Sequence, residues 1–274
     1  MALAQQAKNF LKSQSIRPSK GLGQSFMVDP NILERMTDYA HISHSDRVLE
    51  IGAGLGFLTE VLSKRASLTL AVELDLRLAD HLRKKFISCP KVNVIQGDFM
   101  KIELGAFEKV VSNPPYARVS PLIFHLINKK FDRAVLTLQR EFAERLVAKP
   151  GEDNYGRLSV MFYFRANAEL LELVPASVFL PKPKISSFIV DIKPKPHHSR
   201  NWKTLEDIVR VMFSQRKRTL RKALKTWSRL RLSSRDVSSY VSQRLLDKRI
   251  FQLEPSQFEE ISNSVQEISP FNSA

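Results

Sequence analysis

Between residues 47 and 138 one pattern recurs, and it constrains the fold more than any other feature of the chain. Short apolar runs at 47–51 (RVLEI), 68–73 (LTLAVE), 92–96 (VNVIQ), 108–112 (EKVVS) and 133–138 (RAVLTL) alternate with helical stretches at about 57–65, 76–87 and 120–129, and another follows at 139–148. Runs this apolar are strands covered on both faces, and the spacers are long enough to carry the chain back across a sheet as helices. The rhythm predicts an α/β fold built on a parallel, doubly wound sheet. Further strands are expected near 168–174 (AELLELV) and 185–192 (ISSFIVDI).

The flanks differ from this core. Residues 1–25 are polar, basic and glycine-punctuated and read as a partly mobile arm. Asp29 and Pro30 then supply the N-cap and first position of a helix, with Ile32, Leu33, Met36 and Ala40 on one face. KPKPHHSRN, residues 193–201, combines prolines with basic and polar residues and reads as a linker. The expected domains are therefore 1–195 and 196–274, the second small and helical, with Trp202 and Trp227 in its core. Residues 200–274 carry 15 Lys and Arg against 8 Asp and Glu, more than twice the net positive charge per residue of the rest.

The whole chain stands at +15, which favours a polyanionic partner, nucleic acid before membrane. The lone cysteine, Cys89, excludes a disulfide framework and a thiolate metal cluster. His197 and His198 have no partner ligands at metal spacing, so no metal is expected. With no signal-like apolar segment near the N-terminus and no apolar run of membrane-spanning length, a soluble, cytoplasmic protein is expected.

The strand ends carry the chemistry. In RVLEIGAGLGFLTEVL, glycines at 52, 54 and 56 mark a strand turning into a helix, where a ligand can approach the backbone closely. The spacing is G-x-G-x-G, without the third glycine of a dinucleotide fingerprint. Glu50 directly precedes this loop. Glu73 closes the second strand, where its carboxylate can accept both hydroxyls of a ribose. Asp98, in Gly97-Asp98-Phe99 after the third, can accept from an adenine amine beside Phe99. All sit where open α/β sheets bind ligands.

The fourth strand runs into Asn113-Pro114-Pro115-Tyr116, which stops it at once. The order E-x-G-x-G-x-G, acidic strand end, G-D, N-P-P-Y resembles the class I S-adenosylmethionine-dependent methyltransferases, with their Rossmann-like sheet. N-P-P-Y in this place is similar to enzymes that methylate a planar, conjugated nitrogen such as the exocyclic amine of adenine. The lone pair of that amine is delocalised into the ring. Two acceptors, the Asn113 side-chain oxygen and the Pro114 carbonyl, would favour a pyramidal nitrogen, a stabilisation preferential to the transition state. Tyr116 offers a face for the base, worth about 1–3 kcal/mol. The enzyme then chiefly aligns the amine, with no metal and no covalent intermediate.

Three further segments narrow the resemblance. KGLGQSFMVD at 20–29 is similar to K-x-x-G-Q-N-F-L-x-D, VFLPKPKISS at 178–187 to F-x-P-x-P-x-V-x-S, and FSQRKRTLRKAL at 213–224 to F-x-x-R-R-K-T-L-R. Together these resemble the small-subunit ribosomal RNA adenine N6,N6-dimethyltransferases over about residues 18–265. The resemblance implies four methyl transfers to two adjacent adenosines in the hairpin loop near the 3′ end of small-subunit rRNA, on a pre-ribosomal particle. By motif position it implies S-adenosylmethionine bordered by Gln24, Ser25, Met27, Gly52 and Gly54, with Glu73 on the ribose, Asp98 and Phe99 on the adenine, and Asn113 beside both cofactor and target. Phe179 would stack on the face of the flipped adenine opposite Tyr116. Ser25 departs from the family's Asn, and Met27 from its Leu.

From Ser214 to Arg235 there are nine Arg or Lys and no acid. Arg218, Arg221, Lys222 and Lys225 fall on one helical face, and Leu220, Ala223, Leu224 and Trp227 on another that packs inward. With Arg216 and Lys217 they form the expected RNA-phosphate surface. Two rivals stand beside this reading. A large-subunit rRNA adenine methyltransferase shares the chemistry but is disfavoured by the 213–224 motif and the chain length. A non-catalytic nucleic-acid-binding factor would not need Gly52, Glu73, Asp98, Asn113 and Tyr116 intact. Nothing in the sequence demands a dimer, so a monomer is expected.

Overall fold

The computed structural model describes residues 2–19, 21, 23–196, 201–232 and 237–268. They divide into two compact units, Met1–Ala143 with Ala168–Pro194, and Glu144–Asn167 with Lys195–Ala274.

In chain order the elements are α1 (Leu3–Ser13), β1 (Phe26–Met27), α2 (Pro30–Tyr39), β2 (Arg47–Ile51), α3 (Phe57–Arg65), β3 (Leu68–Glu73), α4 (Leu76–Lys85) and β4 (Val92–Gln96). There follow β5 (Lys109–Ser112), α5 (Val119–Leu126), β6 (Arg133–Gln139), α6 (Arg140–Val147), α7 (Arg157–Tyr163), β7 (Ala166–Val174), β8 (Phe179–Leu180) and β9 (Ser187–Pro194). Four helices close the described chain: α8 (Trp202–Phe213), α9 (Leu220–Arg231), α10 (Gln243–Leu246) and α11 (Pro255–Ser264).

The first unit is built on a seven-stranded sheet ordered β4-β3-β2-β5-β6-β9-β7. From β4 through β6 every pairing is parallel, as the strand–helix rhythm requires. The sheet is nevertheless mixed, because β9 runs antiparallel to β6, with Thr137 opposite Ile189 and Gln139 opposite Ser187. This corrects the expectation of a parallel sheet. Residues 175–186, between β7 and β9, hold a short turn and β8 but no crossover helix, so β9 enters the sheet reversed. Met36 of α2 and Leu62 of α3 bury against Val48, Val111, Val135 and Ile189 of the sheet. Asp29 caps α2, accepting from the Asn31 and Ile32 amides.

Part of the expected arm is helical. Residues 3–13 form α1, whose Ala7 and Leu11 pack with Ile16, Phe26, Leu55 and Leu78, while the Phe10 ring lies 4.0 Å from that of His81. Leu3, Ala7, Phe10 and Leu11 share one helical stripe, a signal hidden by the polar residues around it.

In the second unit, α7 occupies a segment to which the sequence reading assigns no element. Leu158, Val160, Met161 and Phe162 of this helix are buried. Tyr155 stands edge-on to Phe213 with 5.7 Å between centroids, Phe213 stacks on Phe258 at 5.5 Å, and the Tyr155 hydroxyl donates to the Leu253 carbonyl at 2.7 Å. This aromatic column is the reason 144–167 joins the helical unit, although the sequence boundary falls at 195/196. Trp227 is fully buried and donates to Asp207 at 2.9 Å, where Arg231 binds the same carboxylate through two hydrogen bonds of 2.9 Å and Arg210 adds a third cation contact. Burial opposes the charge of Asp207, but these donors hold its carboxyl below the usual range. Trp202 is only half-buried, with the Arg165 guanidinium 4.2 Å from its ring centre.

Candidate active site

The glycine loop leaves β2 in backbone conformations that side chains resist. Gly52 has φ +79° and Gly54 φ +58°, and a Cβ on Gly54 would stand 2.9 Å from the Phe26 ring. A Cβ on Gly52 would stand 3.1 Å from Pro115, filling the gap between this loop and the Asn113–Tyr116 turn. The loop is tied to the next strand: Gly52 and Ala53 donate to the Val72 carbonyl, and the Gly54 amide to Glu73 Oε2 at 2.8 Å. The Asp75 amide donates to Glu73 Oε1 at 2.9 Å. Burial raises the Glu73 carboxyl, and these two backbone donors oppose the rise.

Glu50 sits beneath the loop and accepts from Thr59 Oγ1 at 2.6 Å. Burial pushes its carboxyl up to about 8, with the nearby Glu73 charge adding to the rise and the Thr59 bond opposing it. After β4, Asp98 Oδ1 accepts from the Met100 amide at 3.0 Å, and Arg118 Nη1 stands 3.4 Å from Oδ2. Phe99 is buried and meets His125 edge-on at 5.2 Å.

One cleft of about 1100 Å³, counted to its open mouth, gathers these groups. All nine residues expected around the cofactor line it, Gln24 and Met27 from one side, Gly52, Glu73 and Asp98 from the strand ends, and Asn113 with Pro114 from the turn after β5. Carboxylates at the β3 and β4 ends, an aromatic wall at Phe99 and bare backbone at Gly52 and Gly54 fit an adenosine-bearing cofactor. Among the described residues, no group of three or more His, Cys, Asp or Glu is arranged to hold a metal; His197 and His198 lie outside them.

The side chains differ from expectation in four places. Ser25 turns its hydroxyl away to the Pro181 carbonyl at 2.8 Å, and its own carbonyl accepts from Asn113 Nδ2 at 2.8 Å, so it holds the turn rather than offering its side chain to a ligand. Phe179, expected to stack on the flipped adenine, is 3% exposed in the core with Met27 and Leu33. Its ring meets Tyr116 edge-on, 6.4 Å between centroids and 69° between planes. Sandwiching a base requires two facing rings with a gap between them, which this pair does not present. The reason is pairing: β8 lies antiparallel to β1, with Phe179 opposite Met27.

Arg216, expected to face RNA, is spent internally. Its guanidinium donates to the Glu152, Asp153 and Tyr155 carbonyls and lies 4.8 Å from the Phe251 ring centre. Arg218 precedes α9 instead of lying on it, and donates to Gln215. Lys217, Arg218, Lys222 and Lys225 are exposed, while Arg221 is half-buried and 3.5 Å from Asp247. The inward face of α9 is as expected, with Leu220, Ala223, Leu224 and Trp227 fully buried.

The sequence reading missed the groups that hold the Asn113–Tyr116 turn. Thr137 of β6 is fully buried and donates to Asn113 Oδ1. The Tyr116 hydroxyl pairs with Ser187 Oγ at 2.9 Å, and burial pushes it up to about 12 against the hydrogen bonds from Ser187 and Thr137. No local signal marks Thr137, since its role arises only when β5 and β6 pair.

A sheet parallel from β4 through β6 with β9 reversed beside it, a glycine loop after β2 and acidic ends on β3 and β4 beside an Asn-Pro-Pro-Tyr turn together define a Rossmann-type methyltransferase. The sequence profile described as "Ribosomal RNA adenine dimethylase" matches residues 16–267. The chain belongs to that family and is an S-adenosylmethionine-dependent rRNA adenine methyltransferase. It is 42% identical over 245 residues to the probable ribosomal RNA small subunit methyltransferase A of Thermococcus gammatolerans, covering 89% of this chain and 87% of the relative. To the protein of the same description from Methanopyrus kandleri it is 40% identical over 266 residues, 94% and 96% of the two chains. Among solved structures, a dimethyladenosine transferase from Plasmodium falciparum superposes with a TM-score of 0.76 at 28% identity, covering 87% of this chain and 96% of that one. The 23S rRNA methyltransferase ErmE shares the fold, with a TM-score of 0.66 at 24% identity over 88% of this chain and 99% of that one.

Proposed function

We propose that the chain dimethylates the N6 amines of two adjacent adenosines in the 3′-terminal hairpin loop of small-subunit rRNA. It acts in the cytoplasm, as a monomer, on a pre-ribosomal particle, and so takes part in small-subunit biogenesis. The observation that carries this reading is that Asn113 and Pro114 line the same cleft as Glu73 and Asp98. Small-subunit methyltransferases among the relatives support the choice of subunit. Among the described residues no helix is long and apolar enough to cross a membrane.

The cleft residues would hold S-adenosylmethionine, which supplies a methyl group already activated on a sulfonium. Glu73 would take the ribose hydroxyls and Asp98 the adenine amine, beside Phe99. Asn113 Oδ1 and the Pro114 carbonyl would accept the hydrogens of the target amine, directing its lone pair outward for in-line displacement. Pro114 and Pro115 fix these acceptors without reorganisation at the moment of reaction. Tyr116 would give the base a stacking face, and Phe179 would back that ring from the core. In the helical unit, Lys217, Arg218, Lys222 and Lys225 would contact phosphates.

The test is to incubate the protein and labelled S-adenosylmethionine with undermethylated small-subunit particles, naked rRNA and duplex DNA, and to map the product. Dimethyladenosine in small-subunit rRNA is expected; label in DNA, protein or large-subunit rRNA overturns the reading. Asn113→Ala should abolish turnover while leaving RNA binding within about twofold of the parent.

A further inference from the structure

Two buried hydroxyls beneath the catalytic turn have no role in the reading above. Thr137 lies on β6 and Ser187 opens β9; both are fully buried. Antiparallel pairing sets Gln139 opposite Ser187 and Thr137 opposite Ile189. Thr137 and Gln139 point to the same face of the sheet, which brings both hydroxyls under one turn.

Their partners are the two side chains that would meet the target base. Thr137 Oγ1 donates to Asn113 Oδ1, and Ser187 Oγ shares a hydrogen bond of 2.9 Å with the Tyr116 hydroxyl. On its other end the Asn113 amide donates from Nδ2 to the Ser25 carbonyl at 2.8 Å. That contact fixes the amide's sense, because a flipped amide would set two acceptors face to face.

The decisive count is of lone pairs on Asn113 Oδ1. An amide oxygen has two, and Thr137 occupies one. A second donor stands close by: the Tyr116 hydroxyl is 3.5 Å from the same oxygen, a distance too long for a strong bond. It is kept there by its shorter bond to Ser187, with a further bond to Thr137. Without Ser187, the partners left to the Tyr116 hydroxyl are Thr137 Oγ1, to which it is already bonded, and Asn113 Oδ1, so losing the Ser187 bond frees it to move toward Oδ1.

We propose that Thr137 and Ser187 are positioning residues for methyl transfer. Thr137 locks the Asn113 amide, and Ser187 holds the Tyr116 hydroxyl off Oδ1 so that its second lone pair stays open for the hydrogen of the target amine. The proposal rests on Asn113 being the acceptor of that amine. It predicts an unusual rescue: once Ser187 is lost, removing the Tyr116 hydroxyl as well restores rate, because the competing donor is gone.

The test uses the full chain with Thr137→Val, Thr137→Ser, Ser187→Ala and the double variant Ser187→Ala/Tyr116→Phe. Methyl transfer from tritiated S-adenosylmethionine to undermethylated small-subunit particles gives kcat and KM, and calorimetry gives the affinity for S-adenosylhomocysteine. Thr137→Val and Ser187→Ala should each lower kcat about tenfold, with KM and S-adenosylhomocysteine affinity within about twofold of the parent. Thr137→Ser, which keeps the hydroxyl, should turn over at close to the parent rate, and the double variant should exceed Ser187→Ala.

The proposal is overturned if Thr137→Val keeps the parental kcat, if Thr137→Ser is as slow as Thr137→Val, or if the double variant is no faster than Ser187→Ala. The comparison at Ser187 needs no change at Thr137, so it decides the matter even where valine lowers the melting temperature. Asn113→Ala separates the two levels. A dead Asn113→Ala beside a fully active Thr137→Val refutes positioning alone, whereas an active Asn113→Ala refutes the acceptor role on which it rests.

Discussion

Replacing Glu50 by glutamine should stabilise the protein relative to its parent, by an amount that grows as the pH rises. The Glu50 carboxyl is 2% exposed, accepts from Thr59 and lies near Glu73, and its folded value is about 8 against 4.5 unperturbed. Because the folded value is raised, the stability held by the neutral form is fully present below pH 4.5 and is lost as the pH climbs through 8. Each pH unit between those limits costs about 1.4 kcal/mol, so by pH 7 the loss relative to pH 4.5 is about 3 kcal/mol. Glutamine has the shape of the protonated acid, can still accept from Thr59, and does not titrate. The difference in unfolding free energy between Glu50→Gln and the parent, from urea titrations at pH 5 to 8.5, should therefore grow steadily in favour of glutamine. Subtracting the parent removes the contribution of every other titrating group common to both proteins. A difference that stays flat across that range would refute the assignment of Glu50 as a buried, largely neutral acid.

Three other outcomes follow from the geometry. Gly54→Ala places a methyl 2.9 Å from the Phe26 ring at φ +58° and should weaken S-adenosylhomocysteine binding by more than about tenfold, as read by calorimetry; unchanged affinity would mean the loop does not meet the cofactor. Asp207→Ala strands the Trp227 donor and the Arg210 and Arg231 guanidiniums, and should destabilise the protein by about 3–5 kcal/mol in urea unfolding, with under 1 kcal/mol pointing to a site that water relieves. RNA affinity should fall steeply with salt. Lys222→Ala/Lys225→Ala should reduce the log–log slope by about 1.5, whereas Arg216→Ala should lower stability through its lost carbonyl contacts; an unchanged slope in the double variant would remove α9 from the RNA surface.

The parts of the fold legible in advance are those encoded locally. Apolar runs ending at Ile51, Glu73 and Gln96 appear as parallel strands almost to the residue, because buried strands and crossover helices each leave their own period in the sequence. The convergence of these residues on one cleft was legible for the same reason: strand ends in this topology meet at one edge of the sheet, so Gly52, Glu73, Asp98 and Asn113 come together without further information. Polar composition concealed α1, whose apolar stripe is narrow, and the even apolarity of 157–163 concealed α7.

By itself, then, the sequence determined the order of strands and helices from β2 to β6, the glycine loop, the acidic strand ends and the amide-bearing turn, each written within a stretch of a few residues. Tertiary structure alone decided that β9 runs backwards beside β6, that Phe179 is a core residue against β1, and that Arg216 is consumed by carbonyls 61 to 64 positions away. It also decided what surrounds Asn113, with Ser25 88 residues before it and Thr137 24 residues after. Hydrogen-bond partners so far apart in sequence leave no periodicity to read. They are set by which strands lie side by side, and strand pairing is a property of the folded chain as a whole.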